Sequence, residues 1–597
     1  MRKKKNRVCF LAGAIVLSVS MLATGCGNTR TTAATAAAET AAETAASSGK
    51  TSAAGTEASS QTVTVRSDGT DLSTVYDKAD LNDTWDSAAT EIKMSGNAAE
   101  IKGSGAAYQN GKVKITKAGT YVLSGELTDG QIEIDAEKEA VVHIVLNGVK
   151  VTSSASAAFY ATKNAKKVIV TLAPGTVNEL ADAKEYTYEN TDDEEPDAAL
   201  FVKNDLTFNG SGTLKITANS RAIHTKDSLV ILGGSYEISS ADDCFNGKDS
   251  ISVEGGLFDL TVTDTKTGKG MTSRGDVKLY GGAMNIEDCN EGLEGLTVQI
   301  YAGNFYIKAE DDGINAREKT DDTAVTEQSK MKDNTKCLIM IAGGLVQIDA
   351  RGDSLDSNGE LEIKGGEIYL SGPTSKGDGT LDFNGTGTIS GGTLIGAGST
   401  GMVQTFGNDS TQNNITIYYD NTIAADTEIK IMDSDGNEIA SWTPPKQYQC
   451  VQISSPDLKT GETYTVTAGT DTQTVTISGV NNTVGTQQGG RGGQGQGGPG
   501  GGQGGGPGGG QGGGQGGPGG KDGKSGNNSA DKNGSSSGTD AGSENMQGQP
   551  PQGGPGMDNR DGGPGNGNPP GQDMPAGNPA SDTESSSAAQ TESGTGE

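Results

Sequence analysis

From Ile231 to Thr393 the chain repeats one pattern, and a repeat of this length restricts the fold before any single residue is considered. The pattern centres on a glycine, in most copies the second of a Gly-Gly pair, at positions 234, 256, 282, 303, 344, 366 and 392. The intervals are 22, 26, 21, 41, 22 and 26 residues. Two residues after each marker stand Tyr236, Phe258, Met284, Phe305, Val346, Ile368 and Leu394, and three before stand Ile231, Val253, Leu279, Ile300, Ile341, Ile363 and Ile389. Each repeat thus predicts two short strands of alternating polarity around a glycine turn, with apolar side chains in register. Leucine-rich repeats have a similar length but need a Leu and Asn pattern that is absent, and a propeller needs a longer unit. The architecture left is all-β, a right-handed, single-stranded parallel β-helix of about 22 residues per turn, its turns stacked about 4.8 Å apart. Counting earlier strands, about a dozen turns are expected. The 41-residue interval holds one added polar loop, Arg317 to Lys336.

Composition divides the remainder. Residues 1–25 join a basic start, an apolar run from Val8 to Ala23 and small residues before Cys26, which resembles a bacterial lipoprotein signal with Cys26 lipidated. Ordinary secretion and an uncleaved anchor are the alternatives, but the apolar run is short for about 30 Å of hydrocarbon. Residues 26–61 are an Ala, Thr and Ser spacer and 485–597 a Gly, Gln and Pro tail, both read as disordered. Residues 62–400 form the β-helix, and in 401–484 the repeat fades into longer strands read as a C-terminal β cap over the open end. The net charge of −31 repels nucleic acid and favours cations, which argues against a nucleic-acid partner. Cys244, Cys289, Cys337 and Cys450 show no metal spacing and are read first as small buried residues, second as disulfides.

A second phrase precedes the glycines. Aligned on the apolar series Ile223, Phe245, Met271, Leu293, Ile314, Leu355 and Leu381, polar residues fall into columns. Before the anchor stand Asp242 and Asp243, Asn290 and Glu291, Asp311 and Asp312, Asp353, and Asp378; after it stand Asn246, Glu294, Asn315, Asp356 and Asp382. Stacking places these oxygens about a rung apart, where unpaired carboxylates repel and a cation relieves them. Calcium, at 2.3–2.6 Å from its oxygens, spans two rungs, and an oxygen-only set argues against zinc or copper. The competing reading is a solvated acidic corner. The turn at Met271 lacks acids and interrupts the ladder. A basic column of Lys226, Lys248, Arg274 and Arg317 follows the anchors; ion pairing is favoured for it, with contact to sugar carboxylates as the sharper alternative. Tyr280 and Tyr301 occupy equivalent outward positions on adjacent turns, suited to stacking on sugar rings or to an ordinary strand surface.

With these residues in hand, the stretch from Asp71 to Thr470 resembles the bacterial carbohydrate-binding β-helix proteins typified by a clostridial cellulose- and pectin-binding surface protein. The resemblance is carried by Ala118-Gly-Thr-Tyr-Val-Leu-Ser-Gly, Val145-Leu-Asn-Gly-Val, Ala199-Leu-Phe-Val-Lys-Asn-Asp-Leu and Asp311-Asp-Gly-Ile-Asn-Ala. It implies a coil related in shape to pectate lyases, bound calcium on the matching acidic phrases, and affinity for plant polysaccharides including polygalacturonate. The expectation is a monomeric, non-catalytic, calcium-dependent carbohydrate-binding lipoprotein on the outer face of the cell membrane, recognising acidic pectin-like or cellulosic polymer. The alternatives are a pectate-lyase-like eliminase using Arg274, Arg317 or Arg351 as base, and a structural surface adhesin.

Overall fold

The computed structural model describes residues 59–162, 164–188, 194–319 and 334–487. Cys26, the signal, most of the spacer, nearly all of the tail and most of the added loop lie outside them. Among the described residues the protein is all-β apart from one 3₁₀ turn at Leu72–Thr74.

Each repeat contributes three strands, one more than the glycine pattern predicts. A typical repeat is Phe245–Gly247, Ser250–Val253 and Leu257–Val262, and each strand pairs in parallel with its counterpart in the next repeat. The additional strand is the acidic phrase itself. Its middle residue points out while Phe245 and Gly247 are buried, so three residues suffice to bond to both neighbouring rungs. Three stacks result, called here the acidic, middle and broad stacks in chain order within a repeat.

The registers follow the sequence alignment. Ile223, Phe245, Met271, Leu293, Ile314, Leu355 and Leu381 are successive partners down the acidic stack. Tyr236, Phe258, Met284, Phe305, Val346, Ile368 and Leu394 are successive partners down the broad stack. These columns point inward into one core running from Ile92 to Phe406. Fully burying each such side chain contributes about 1.5–3 kcal/mol before chain entropy is subtracted.

The marker glycines are required twice over. Gly303 has φ of 114°, and a Cβ there would lie 2.8 Å from the carbonyl oxygen of Gly282. Gly344 repeats this with φ of 86° and 2.6 Å to the Gly303 oxygen. Positive φ excludes other residues on backbone grounds, and the close approach excludes them on contact grounds.

At the far end Thr393–Gly398 pairs antiparallel with Tyr448–Ser454, which stops the parallel stacking. A separate four-stranded antiparallel sheet and its own core, including Ile417, Ile431, Val451 and Val466, complete the cap. All four body cysteines are buried and unpaired.

Residues from Ser59 to Ala89, read from sequence as the spacer's end and the first β-rich segment, form a strap along the middle stack. The Ser60 carbonyl accepts the Gly234 N–H at 2.6 Å, and Val63 N–H donates to Leu232 at 2.7 Å. Further along, the Asp80 carboxylate accepts from Lys167 at 2.8 Å and Thr207 at 2.7 Å. The strap covers the outer face of the middle stack with polar bonds rather than ladder pairing, so it leaves no periodic signal.

Candidate functional site

The acidic stack carries the predicted column on its outward side. Asn246, Thr272, Glu294, Asn315, Asp356 and Asp382 are register partners in succession. The acids before the anchors enter the same face from the preceding turns. Protein cations are distributed unevenly along this ladder, and that divides it into three parts.

In the first part Arg221 neutralises the acids. Its guanidinium lies 3.2 Å from Asp243 and 3.4 Å from Asp242, and it also bonds to Asp197. Asp197 in turn pairs with His224 Nδ1 at 2.6 Å. Asp243 accepts Asn246 Nδ2 at 2.8 Å and the Lys269 N–H at 3.1 Å. This patch is satisfied from within.

The second part surrounds Glu294, whose side chain is fully buried. Its Oε1 accepts Thr272 Oγ1 at 2.7 Å and also binds Lys319, and its Oε2 accepts Arg317 Nε at 2.5 Å. These cations hold Glu294 well below the usual carboxylate range despite its burial. Glu291 sits beside it, with Lys269 its ion-pair partner at 3.6 Å among the described residues, and burial together with Glu294 pushes its carboxyl up. Glu291 Oε2 is buried and accepts no hydrogen bond from the described residues.

The third part has no paired cation among the described residues. Asp312 stands on one rung and Asp353 and Asp356 on the next, and partial burial, reinforced by neighbouring carboxylates, raises them to about 7, about 9 and about 8. Asp382 is raised as well, chiefly by burial. Asp312 accepts the Asp353 N–H at 2.8 Å and Asn315 Nδ2 at 3.1 Å, and Asp353 accepts the Gly379 N–H at 2.5 Å. Asp382 accepts the side-chain amide of Gln404, and Asp378 accepts Ser375 Oγ at 3.2 Å. Asn315 Oδ1 is buried and finds no donor among the described residues. Carboxylate oxygens of Glu291, Asp311 and Asp312 all lie within 4.8 Å of one another. Glu291 and Asn315 are buried, Asp312 is half-buried and Asp311 is exposed, and a group of carboxylates with two orphaned buried oxygens is of the chemistry that a hard divalent cation takes.

The flanking residues behave differently from one another. Arg317 is turned inward onto Glu294, Lys226 bonds to Glu195, and Arg351 pairs with Glu310 at 2.8 Å. Lys248 and Arg274 follow in the same column, the Arg274 N–H donating to the Lys248 carbonyl at 3.0 Å. Asn290 accepts Lys269 Nζ at 3.3 Å. Tyr280 and Tyr301 stack at 4.6 Å, but the Arg66 guanidinium lies 3.4 Å over the Tyr280 ring. Both faces of the Tyr280 ring are therefore taken, one by Tyr301 and one by Arg66 from the strap, and both tyrosines are half-buried. Arg66 is fixed by Glu254 at 2.7 Å, a contact spanning 188 residues that no local pattern announces.

Fold and site together define an all-β solenoid of parallel rungs with an acidic outer ladder. Residues 109–379 match the family described as carbohydrate-binding domain-containing protein. A curated protein of Acetivibrio thermocellus with that same description is 41% identical over 130 residues. The matched region is 22% of this chain and 45% of the relative, so the chain spans less than half of that relative's length. A solved structure, described as that of the polysaccharide lyase-like protein from C. thermocellum in a gadolinium derivative, is 27% identical. It covers 51% of this chain and 97% of its own, with a TM-score of 0.31.

Proposed function

We propose that this protein binds acidic polysaccharide without cleaving it, through calcium held by the third part of the ladder. The observation carrying this reading is the row Asp312, Asp353, Asp356 and Asp382, half-buried on neighbouring rungs with no paired cation among the described residues, next to the orphaned Asn315 oxygen. Glu291, Asp311 and Asp312 form a second group able to share an ion. A bound calcium would offset the mutual repulsion of these acids and accept uronate carboxylates or sugar hydroxyls in its remaining positions. The protein's own residues set the height and spacing of the carboxylates, and so the repeat a polymer must present.

The coil is proposed to be right-handed, the sense in which parallel strands connect. Lipidation at Cys26 is proposed to hold it as a monomer on the outer face of the cell membrane. Arg317 spends its guanidinium on Glu294 and Arg351 pairs with Glu310, which disfavours both as eliminase bases. The reading is tested by retention on polygalacturonate with calcium and with chelator, alongside an assay for unsaturated uronate. Retention that ignores the chelator, or steady uronate formation, overturns it.

A further inference from the structure

We propose a second glycan-binding site at the amino-terminal end of the solenoid, built on Trp85 and suited to a neutral pyranose chain. It goes beyond the ladder reading, shares none of its residues and requires no metal. Its walls are the end of the strap and the first strands. There Trp85 flanks a cavity of about 490 Å³ whose floor is the outer face of Thr90–Gly96 and its neighbours. The alternation of Thr90–Gly96 turns Ile92 and Met94 into the core and leaves Glu91 and Lys93 facing the cavity.

Register then lays out two polar rows across the strands. Glu91 lies between Lys102 and Val122, and Lys93 lies between Glu100 and Ser124, with Asn147 on the next strand beyond.

Three features select the ligand. Trp85 is 38% exposed, an unusual position for the largest apolar ring, and among the described residues it stacks on no other ring and its indole N–H finds no acceptor. Such a ring offers a flat apolar face to the C–H face of a pyranose and a donor at its edge. Next, the side chains of Glu91, Lys93, Ser124 and Asn147 make no hydrogen bond or ion pair with described residues, and Lys102 approaches Glu100 only at 3.8 Å. Donors and acceptors are therefore both available at short intervals, as vicinal hydroxyls need. Finally, Asp86, Glu91 and Glu100 face Lys93 and Lys102, a nearly balanced set that gives a polyanion no advantage. The volume lies in the range of small-ligand sites.

The chain has two tryptophans, Trp85 and Trp442, and the latter stacks on Tyr369 in the cap. Trp442→Phe thus leaves Trp85 as the sole tryptophan reporter in the full chain, read by excitation beyond the tyrosine absorption band. Titration with a β-1,4-linked neutral hexasaccharide of mannose or glucose, in excess chelator, is expected to give a saturable emission shift. Affinity electrophoresis provides the second arm. Trp85→Ala is expected to weaken retardation by a neutral glucan or mannan at least tenfold and to leave retardation by polygalacturonate with calcium unchanged. No saturable shift with either hexasaccharide, or equal retardation of Trp85→Ala and wild type on both neutral polymers, overturns the proposal. Failure of the ladder reading would show elsewhere, as polygalacturonate retention insensitive to chelator, and would leave the neutral arm intact.

Discussion

Calcium binding should expel a countable number of protons. Burial and neighbouring acids place Asp312 at about 7, Asp356 at about 8 and Asp353 at about 9, against an ordinary value of 3.8. At about pH 6.5 the chelated protein then holds between about two and three protons on these groups. Calcium takes carboxylate oxygens, so uptake must displace them. We predict release of about two to three protons per ion at about pH 6.5, falling below about one at about pH 9.5. The sign for stability follows. Folded pKa values above the unfolded ones mean that the folded chelated protein binds more protons, so it loses stability as pH rises from about 4 through about 9. Calcium cancels that loss, and the increment it adds to Tm grows across the same window. Calorimetric titration in two buffers of different ionisation enthalpy gives the proton count, and melts with and without chelator give the increment. Proton release indistinguishable from zero at about pH 6.5, or a calcium increment that does not grow with pH, refutes the reasoning.

Other expectations can be tested on the same preparation. Asp353→Asn with Asp356→Asn removes the repulsion directly: Tm in chelator should rise at neutral pH while the calcium increment shrinks, read by paired melts. Arg66→Ala strips the guanidinium from Glu254, whose side chain is fully buried, and should cost about 3–5 kcal/mol in denaturant unfolding. Glu294→Gln leaves Arg317 and Lys319 facing a neutral group and should destabilise by a comparable margin of about 3–5 kcal/mol, with or without calcium. Gly303→Ala combines a φ of 114° with a carbonyl at 2.8 Å and should cost at least about 1–3 kcal/mol, seen as a lowered denaturation midpoint.

Much of the fold was legible because parallel rungs place equal positions of successive repeats side by side. Aligning the sequence on Phe245, Met271 and Leu293 is the same operation as pairing those residues in space. The outward column through Asn246, Glu294 and Asp356 came with it. The third strand was not legible, since a three-residue strand such as Phe245–Gly247 carries too little alternation to stand apart from a turn. Charge partners were also hidden. Arg221 and Lys319 reach their acids across turns, and Arg66 reaches Glu254 over 188 residues, so side-chain length and the strap's path decide which acids are free. Trp85 sits in an aperiodic segment, where only the assembled first rungs reveal the cavity beside it.

The central claim is that uncompensated carboxylates on the last rungs bind polymer through calcium. Its most direct test is polygalacturonate retention of the wild type and of Asp353→Asn with Asp356→Asn, each measured with calcium and with chelator. The account predicts retention by the wild type in calcium alone and loss in the variant under both conditions. Equal retention in all four measurements would contradict it.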